Sequence, residues 1–328
     1  MAAAKRDVTV VIPTHNGSQR VGQLLEALLK QEIPGVLFEV VVIDNASTDS
    51  TAQTVLDGPF VSAFSKKEIP LRVVIETEKG LTFARLRGIH EAQGEYVCFL
   101  DDDNLPASDY VAEGVKAFRT TNADTLTSRV FARYEADPPV SVRRREHLLA
   151  INDALGDSPL DFGTGATLAP TLGAGMWVRK SLFLKAVPVD RPAALLCDRL
   201  GGQLTSGGDI EIGYLMGASG ARRMYWPGLV IWHCIPPQRF ELRYFTRLIM
   251  GVVRSKATLE ARYAREALPP ANIANRFFRL LFCMVSLPAF IFRSDGLRDY
   301  WFALVARWAE FLGPYASHPD LRRDKESI

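Results

Sequence analysis

Four short runs rich in apolar and β-branched residues recur through the first hundred positions: VTVVIP (8–13), EVVVID (39–44), LRVVIE (71–76) and EYVCFLD (95–101). Each is short enough to be a strand, and the stretches between them carry helical spacing. Between the first two, Val21, Leu24, Leu25, Leu28 and Leu29 repeat at three- and four-residue intervals, which predicts a helix over Ser18–Lys30. A second helix is expected behind Ser47 or Asp49 as N-cap, and a third around Phe83–Gln93. Strands that alternate with helices predict an α/β fold: a mixed, mostly parallel sheet flanked by helices, with ligands bound beyond the carboxyl ends of its strands.

Polar residues cluster at those ends: Pro13-Thr14-His15-Asn16, Asp44-Asn45, Glu76-Thr77-Glu78-Lys79 and the triplet Asp101-Asp102-Asp103. Three adjacent carboxylates repel one another, so a cation is their natural partner. Asp101 and Asp103 stand two apart, which in a strand-end geometry sends both side chains to one side, and hard oxygen ligands suit Mg²⁺ or Mn²⁺. A solvated acidic turn is the bland alternative. No GxGxxG follows the first strand and no GxxxxGK[ST] occurs near it, which disfavours a dinucleotide oxidoreductase or a P-loop enzyme.

Composition excludes further classes. Lys and Arg total 39 against 37 Asp and Glu, so no global basic excess points to nucleic acid. Cys98, Cys197, Cys234 and Cys283 lack CxxC spacing, and the N-terminus turns polar too soon for a signal peptide, so a cytoplasmic protein is expected. The most apolar stretch, Leu280 to Phe292, is interrupted by Pro288 and is shorter than the ~20 residues that a spanning helix needs.

Taken in order, VVIPTHN, VVVIDNASTDST, GLTFARLRGI and GEYVCFLDDDNLP resemble family 2 glycosyltransferases of the GT-A fold, and the likeness covers roughly the first two thirds of the chain. The resemblance implies a nucleotide-diphosphate sugar donor and a divalent metal, Mn²⁺ or Mg²⁺. Asp101 and Asp103 would then be the Asp-x-Asp metal motif. Asp102 would fold back at a turn toward the nucleotide, and Asn104 stands where many relatives carry a further Asp. Asp44 would accept hydrogen bonds from the base, while also being suited to an Asx turn. Pro13, Thr14 and Asn16 would line the opposite wall, with Arg85, helped by Lys79, at the diphosphate.

Downstream, LGAGMWVRKSLF (172–183) resembles the segment that closes under the sugar. In TSGGDIEIGYLM the match makes Asp209 the general base and Glu211 the acidic residue two further on, with Gly208 where relatives carry Glu. The same two acids also suit a helix N-cap and first turn. His233, after another apolar run, is either a metal ligand, a diphosphate contact or a structural histidine. The reading is an inverting, metal-dependent transferase acting on a saccharide or lipid-linked acceptor hydroxyl; a catalytically silent nucleotide-sugar-binding protein of the same fold is the alternative. Residues 1–240 are expected to form the transferase domain, with Pro236, Pro237 and Arg239 at its exit. The helical, aromatic, arginine-dotted region 241–328, with Arg276, Arg279, Arg293, Arg298 and Arg307, suits equally an anionic membrane surface or a helical subdomain or homodimer surface that packs its apolar side on protein. Residues 134–171 carry no pattern that reveals an acceptor.

Overall fold

A computed structural model describes residues 6–168, 173–191, 195–196, 198, 204–263, 270–285 and 295–312. Leu172, Cys197, Pro288 and Arg293 lie outside them. In chain order the first elements are β1 (Val8–Thr14), α1 (Val21–Leu29), β2 (Phe38–Asn45), α2 (Thr51–Leu56), α3 (Phe60–Lys66), β3 (Leu71–Glu76) and α4 (Leu81–Glu91). Next come β4 (Tyr96–Phe99), β5 (Asn104–Pro106), α5 (Tyr110–Thr120), β6 (Thr125–Tyr134), α6 (Val140–Arg143), β7 (Leu160–Gly163), β8 (Met176–Arg179) and α7 (Lys180–Ala186). α8 (Gly208–Ala218), β9 (Arg223–Ile235), α9 (Leu242–Tyr263), α10 (Pro270–Val285) and α11 (Gly296–Leu312) complete the chain. The chain divides into two compact units. One comprises Met1–Arg133, Ala150–Gly201 and Gly208–Ile235; the other, Tyr134–Leu149, Gly202–Gly207 and Pro236–Ile328.

The first unit holds a nine-stranded sheet in the order β3-β2-β1-β4-β8-β6-β9-β5, with β7 beside β9. β1 pairs in parallel with β2 and β4, and β2 with β3, so four strands end on one side. β8 then turns the sheet antiparallel against β4 and β6. Mixed and mostly helix-covered, this is the architecture expected from the alternating pattern. The boundaries moved inward: the first helix begins at Val21 rather than Ser18, and the second at Thr51, with Asp49 accepting from the Thr51 amide at 3.1 Å. β4 ends at Phe99, two residues before the expected Asp101, because the chain turns there.

Strand alternation explains the two core layers. On one face Val97 and Phe99 join Val11, Val41 and Ile43 under Ala84, Ile89, Phe183, Ile212 and Met216. On the other, Tyr96 stacks on Phe118 at 4.3 Å, while Cys98 donates to the Tyr110 hydroxyl, which also takes the Trp177 indole at 3.0 Å. α4 lies close on β1 because residue 88 has no side chain: a Cβ there would stand 2.2 Å from a Val11 methyl.

In the second unit, Arg144 and Arg145 both bond the buried Asp299 carboxylate, and Ser141 bonds Asp295. Phe245 packs on Phe302 at 4.8 Å. This is where part of the undecoded 134–171 stretch is anchored. No helix among the described residues is long and apolar enough to cross a membrane.

Gly88→Ala tests the close approach of α4. Helix propensity alone would favour Ala by about 1 kcal/mol, whereas overpacking a filled core costs about 1–3 kcal/mol. With Val11 buried in a central strand the second effect should win, lowering Tm by several degrees in a thermal melt. An unchanged or raised Tm would show that α4 can shift freely.

Candidate active site

The four parallel strand ends bring Thr14, Asp44, Asn45, Glu76 and Asp101 to one edge of the sheet, and side chains there lock the loops to one another. Asn45 donates to the carbonyls of Glu76 and Glu78 (3.4 and 2.6 Å) and accepts from the Gly80 amide at 2.8 Å. His15 Nδ1 donates to the Asn45 carbonyl at 2.8 Å. Asn16, in the left-handed region at φ 50°, accepts from the Thr48 amide at 2.8 Å and offers its own amide to Ser47. Asp44 is buried and accepts from the Ser47 amide, three residues on, at 3.1 Å, a loop-closing bond in place of the two-residue Asx turn expected of it. Pro13 and Thr14 are buried, Asn16 and Lys79 exposed.

The acidic triplet is taken apart by its turn. Asp101 faces Arg85, whose Nη2 stands 3.5 Å from Asp101 Oδ1; that oxygen is buried and accepts no hydrogen bond. Asp102 turns toward β1, where Thr14 donates to it at 2.5 Å and Arg20 holds it with two nitrogens at 2.9 and 2.8 Å. Both Asp102 oxygens, expected at the nucleotide, are thus engaged by the wall of the pocket. Asp103 lies 3.3 Å from His233 Nε2, brought there by the pairing of Asn104 with His233 between β5 and β9. Asn104 is fully buried and folds the turn, accepting from the Asp101 amide at 3.1 Å and donating to Asp103 at 3.2 Å. Burial pushes the Asp101 carboxyl above its usual range, against the pull of Arg85 and with the repulsion of Asp103 adding to the rise.

Of the expected metal set, Asp103 and His233 meet, while Asp101 is drawn to Arg85. Among the described residues no group of three or more His, Cys, Asp or Glu is placed to hold a metal ion. The donor chemistry nevertheless fits a hard divalent cation: two carboxylates and an imidazole, one carboxylate oxygen buried and without a hydrogen bond.

Arg85 is 3% exposed and also lies 3.8 Å from Asp198. It therefore sits among acidic groups inside the protein. Gly173 covers it so closely that a Cβ would stand 2.1 Å from a guanidinium nitrogen. The Gly173 amide points the other way and donates to Asp209 at 2.7 Å. Asp209 occupies the first turn of α8 and also accepts from the Ile210 amide at 2.8 Å. Glu211, expected beside it, is fully buried and takes the Leu196 amide.

Sequence reasoning missed Asp198, Arg20 and the turn role of Asn104. Asp198 accepts the Gly208 amide on both oxygens, at 3.0 and 3.1 Å, and so caps α8. A Cβ at residue 208 would meet Asp198 at 2.8 Å and the Leu196 carbonyl at 2.9 Å, which accounts for glycine at this position. Arg20 is exposed and follows no apolar period, so nothing local announces its partner.

The Asp198 contact generates a paired test. Gly208→Glu alone should destabilise by about 1–3 kcal/mol through steric and like-charge conflict. Asp198→Gly is itself destabilising, because Arg85 loses a counter-charge, but the losses in the double variant should come to less than their sum, a coupling that a double-mutant cycle on Tm reads directly. Additive effects would show that the two positions do not compete.

Residues 9–183 match the model of Glycosyl transferase family 2. Over 127 residues the chain is 30% identical to the glycosyltransferase AglE of Haloferax volcanii, covering 39% of this chain and 40% of that protein. Over 120 residues it is 36% identical to the poly(ribitol-phosphate) beta-N-acetylglucosaminyltransferase TarS of Staphylococcus aureus, covering 36% and 20%. The matches thus span well under two thirds of either relative. Among solved structures, the mannosyltransferase PcManGT from Pyrobaculum calidifontis, in complex with GDP-Man and Mn²⁺, superposes with TM-score 0.60 at 19% identity, covering 94% of this chain and 88% of that one. The S. aureus TarS fragment 1–349 bound to UDP gives TM-score 0.50 at 16% identity, covering 95% and 93%. The fold is that of GT-A transferases, and with more than half of its length matched to the family the chain belongs to glycosyl transferase family 2.

Proposed function

We propose that this protein is an inverting glycosyltransferase that moves a sugar from a nucleotide-diphosphate donor to a hydroxyl of a saccharide or lipid-linked acceptor, in the synthesis of a polysaccharide or glycoconjugate. The observation that carries this reading is that Asp101 meets the buried Arg85 guanidinium at 3.5 Å at the carboxyl edge of the sheet, while Gly173, packed on that guanidinium, donates its amide to Asp209 at 2.7 Å. The solved neighbours with GDP-Man or UDP support a nucleotide donor. TarS, whose name gives poly(ribitol-phosphate) as its target, supports a polymeric or glycan acceptor. Residues 1–240 carry the transfer and 241–328 form a helical extension.

In this reading the nucleoside lies against Pro13, Thr14, Asn16 and Asp44, with Asp102 stiffening that wall through Thr14 and Arg20. Lys79, exposed, reaches the diphosphate from solvent. Arg85 acts beneath the diphosphate by fixing Asp101. Asp103, His233 and Asp101 would hold the divalent cation, Mn²⁺ or Mg²⁺. When bound, it supplies charge neutralisation for the leaving diphosphate. Asp209 takes the acceptor proton. Each of its oxygens receives one amide hydrogen bond and keeps a lone pair free for an incoming hydroxyl. A single displacement needs no covalent intermediate and inverts the anomeric centre. Glu211, buried on the Leu196 amide, supports the helix rather than the acceptor. The rival reading, a silent nucleotide-sugar-binding protein, drew its support from Gly208, and the Asp198 contact gives that glycine a structural reason.

Asp209→Asn separates base from scaffold. A base used in the transition state affects rate and not donor binding. Transfer should fall about 10²-fold or more, with Tm and nucleoside-diphosphate affinity near the parent's. Transfer at the parental rate would remove Asp209 from the mechanism.

For the cation, Asp103→Ala should abolish the Mn²⁺-dependent part of UDP or GDP binding in titration calorimetry while circular dichroism stays unchanged. Mn²⁺-dependent affinity equal to the parent's would exclude Asp103 as a ligand.

A further inference from the structure

The second unit ends in two helices whose apolar side chains do not all find a core. On α10, Phe278, Phe282 and Val285 recur at i, i+4 and i+7 and are 64%, 74% and 67% exposed. On α11, Leu297, Trp301 and Trp308 form a second stripe, 67%, 44% and 48% exposed. The stripes join. Phe277 meets Phe311 at 6.0 Å between ring centres, Phe311 meets Trp308 at 6.1 Å, and the Tyr300 hydroxyl donates to the Met284 carbonyl at 3.1 Å. An apolar face of this size and aromatic content on a soluble surface marks a contact.

Charge selects the occupant. α10 contains no Asp or Glu; its only charges are Arg276 and Arg279, and the Arg279 side chain is 49% exposed. Across α10 and α11 four Arg stand against two acids, Asp299 and Glu310, and Glu310 lies 3.6 Å from Arg279 and 2.7 Å from Arg307. α10, which bears the most exposed phenylalanines, therefore carries positive charge alone. A twofold contact with a second copy would set the same basic face against itself, which like-charge repulsion opposes. An anionic lipid surface is complementary in both respects. Apolar and aromatic side chains enter the interface, and arginines meet the headgroups. Length decides the mode: α10 has 16 residues, about 24 Å at the helical rise, short of the ~30 Å hydrocarbon layer. We infer that α10 and α11 form a monotopic membrane-docking face that lies in the interface of an anionic bilayer. This inference is independent of the reaction assigned to the strand ends.

The test uses the full chain with vesicles of phosphatidylcholine, with and without phosphatidylglycerol. The parent should co-sediment with the anionic vesicles, weakly with the neutral ones, and less as salt is raised. Tryptophan emission should shift to the blue on binding, because Trp301 and Trp308 enter the interface. Phe278→Gln combined with Phe282→Gln should weaken vesicle binding about tenfold or more, with UDP or GDP thermal shifts unchanged. Arg276→Gln with Arg279→Gln should flatten the salt dependence. Should the paired Phe variant fail to fold, the parent's blue shift and salt dependence decide alone. Equal binding to neutral and anionic vesicles, or binding to neither, overturns the proposal. A dimer in sedimentation that the Phe substitutions dissociate, without vesicle binding, replaces lipid by a second copy.

Discussion

A guanidinium 3% exposed in a protein interior cannot stand alone, and the candidate site is arranged around that requirement at Arg85. Asp101 approaches one of its terminal nitrogens at 3.5 Å and Asp198 another at 3.8 Å. Removing a partner from a buried pair costs about 3–5 kcal/mol because the remaining charge is uncompensated. That penalty ties the end of β4, the N-terminal end of α4 and the segment before α8 to one point. Close packing of α4 on β1, which the missing side chain of Gly88 allows, sets where that point lies.

The same logic resolves the acidic triplet. Three neighbouring carboxylates would destabilise one another if they shared a side, but the turn gives each its own counterpart. Asp101 goes to Arg85, Asp102 to Thr14 and Arg20, and Asp103 to His233 and Asn104. Asp102 thereby becomes a strut between β4 and the loop after β1, and a side chain at Gly17 would stand 2.4 Å from its carboxylate. Asn45 performs a comparable service for the loops after β2 and β3 with neutral hydrogen bonds. Loops held in this manner are already ordered, so a ligand at this edge of the sheet would not have to order them on binding.

The strands were legible because their signal is local: β1 and β2 are buried and apolar on both faces, the edge strand β3 keeps an apolar run though only half-buried, and all three are found within a residue or two of where the pattern put them. Asp44, the acidic triplet and Asp209 were legible because each stands just beyond an apolar run or at a helix start. What could not be read depends on partners distant in sequence. Asp198 and Gly208 explain each other only when the chain between them has folded back. Arg144 and Arg145 look like solvated charge until Asp299, more than 150 residues later, accepts them both. Glu211 shows the opposite failure. Two residues from Asp209 on a first helical turn, it looked like a second site acid, but a rotation of about 200° along the helix carries it into the core.

If Asp209 is the base proposed for the transfer, it must be oriented, and Gly173 takes part in that orientation through its amide. Backbone amides, from Gly173 and Ile210, orient Asp209, while the nearby cation is committed to Asp101 and Asp198. Any side chain at residue 173 would collide with the guanidinium and displace either Arg85 or the amide that fixes Asp209. Glycine at this position therefore lets one backbone serve both neighbours, packing against the Arg85 guanidinium and fixing Asp209 at the head of α8.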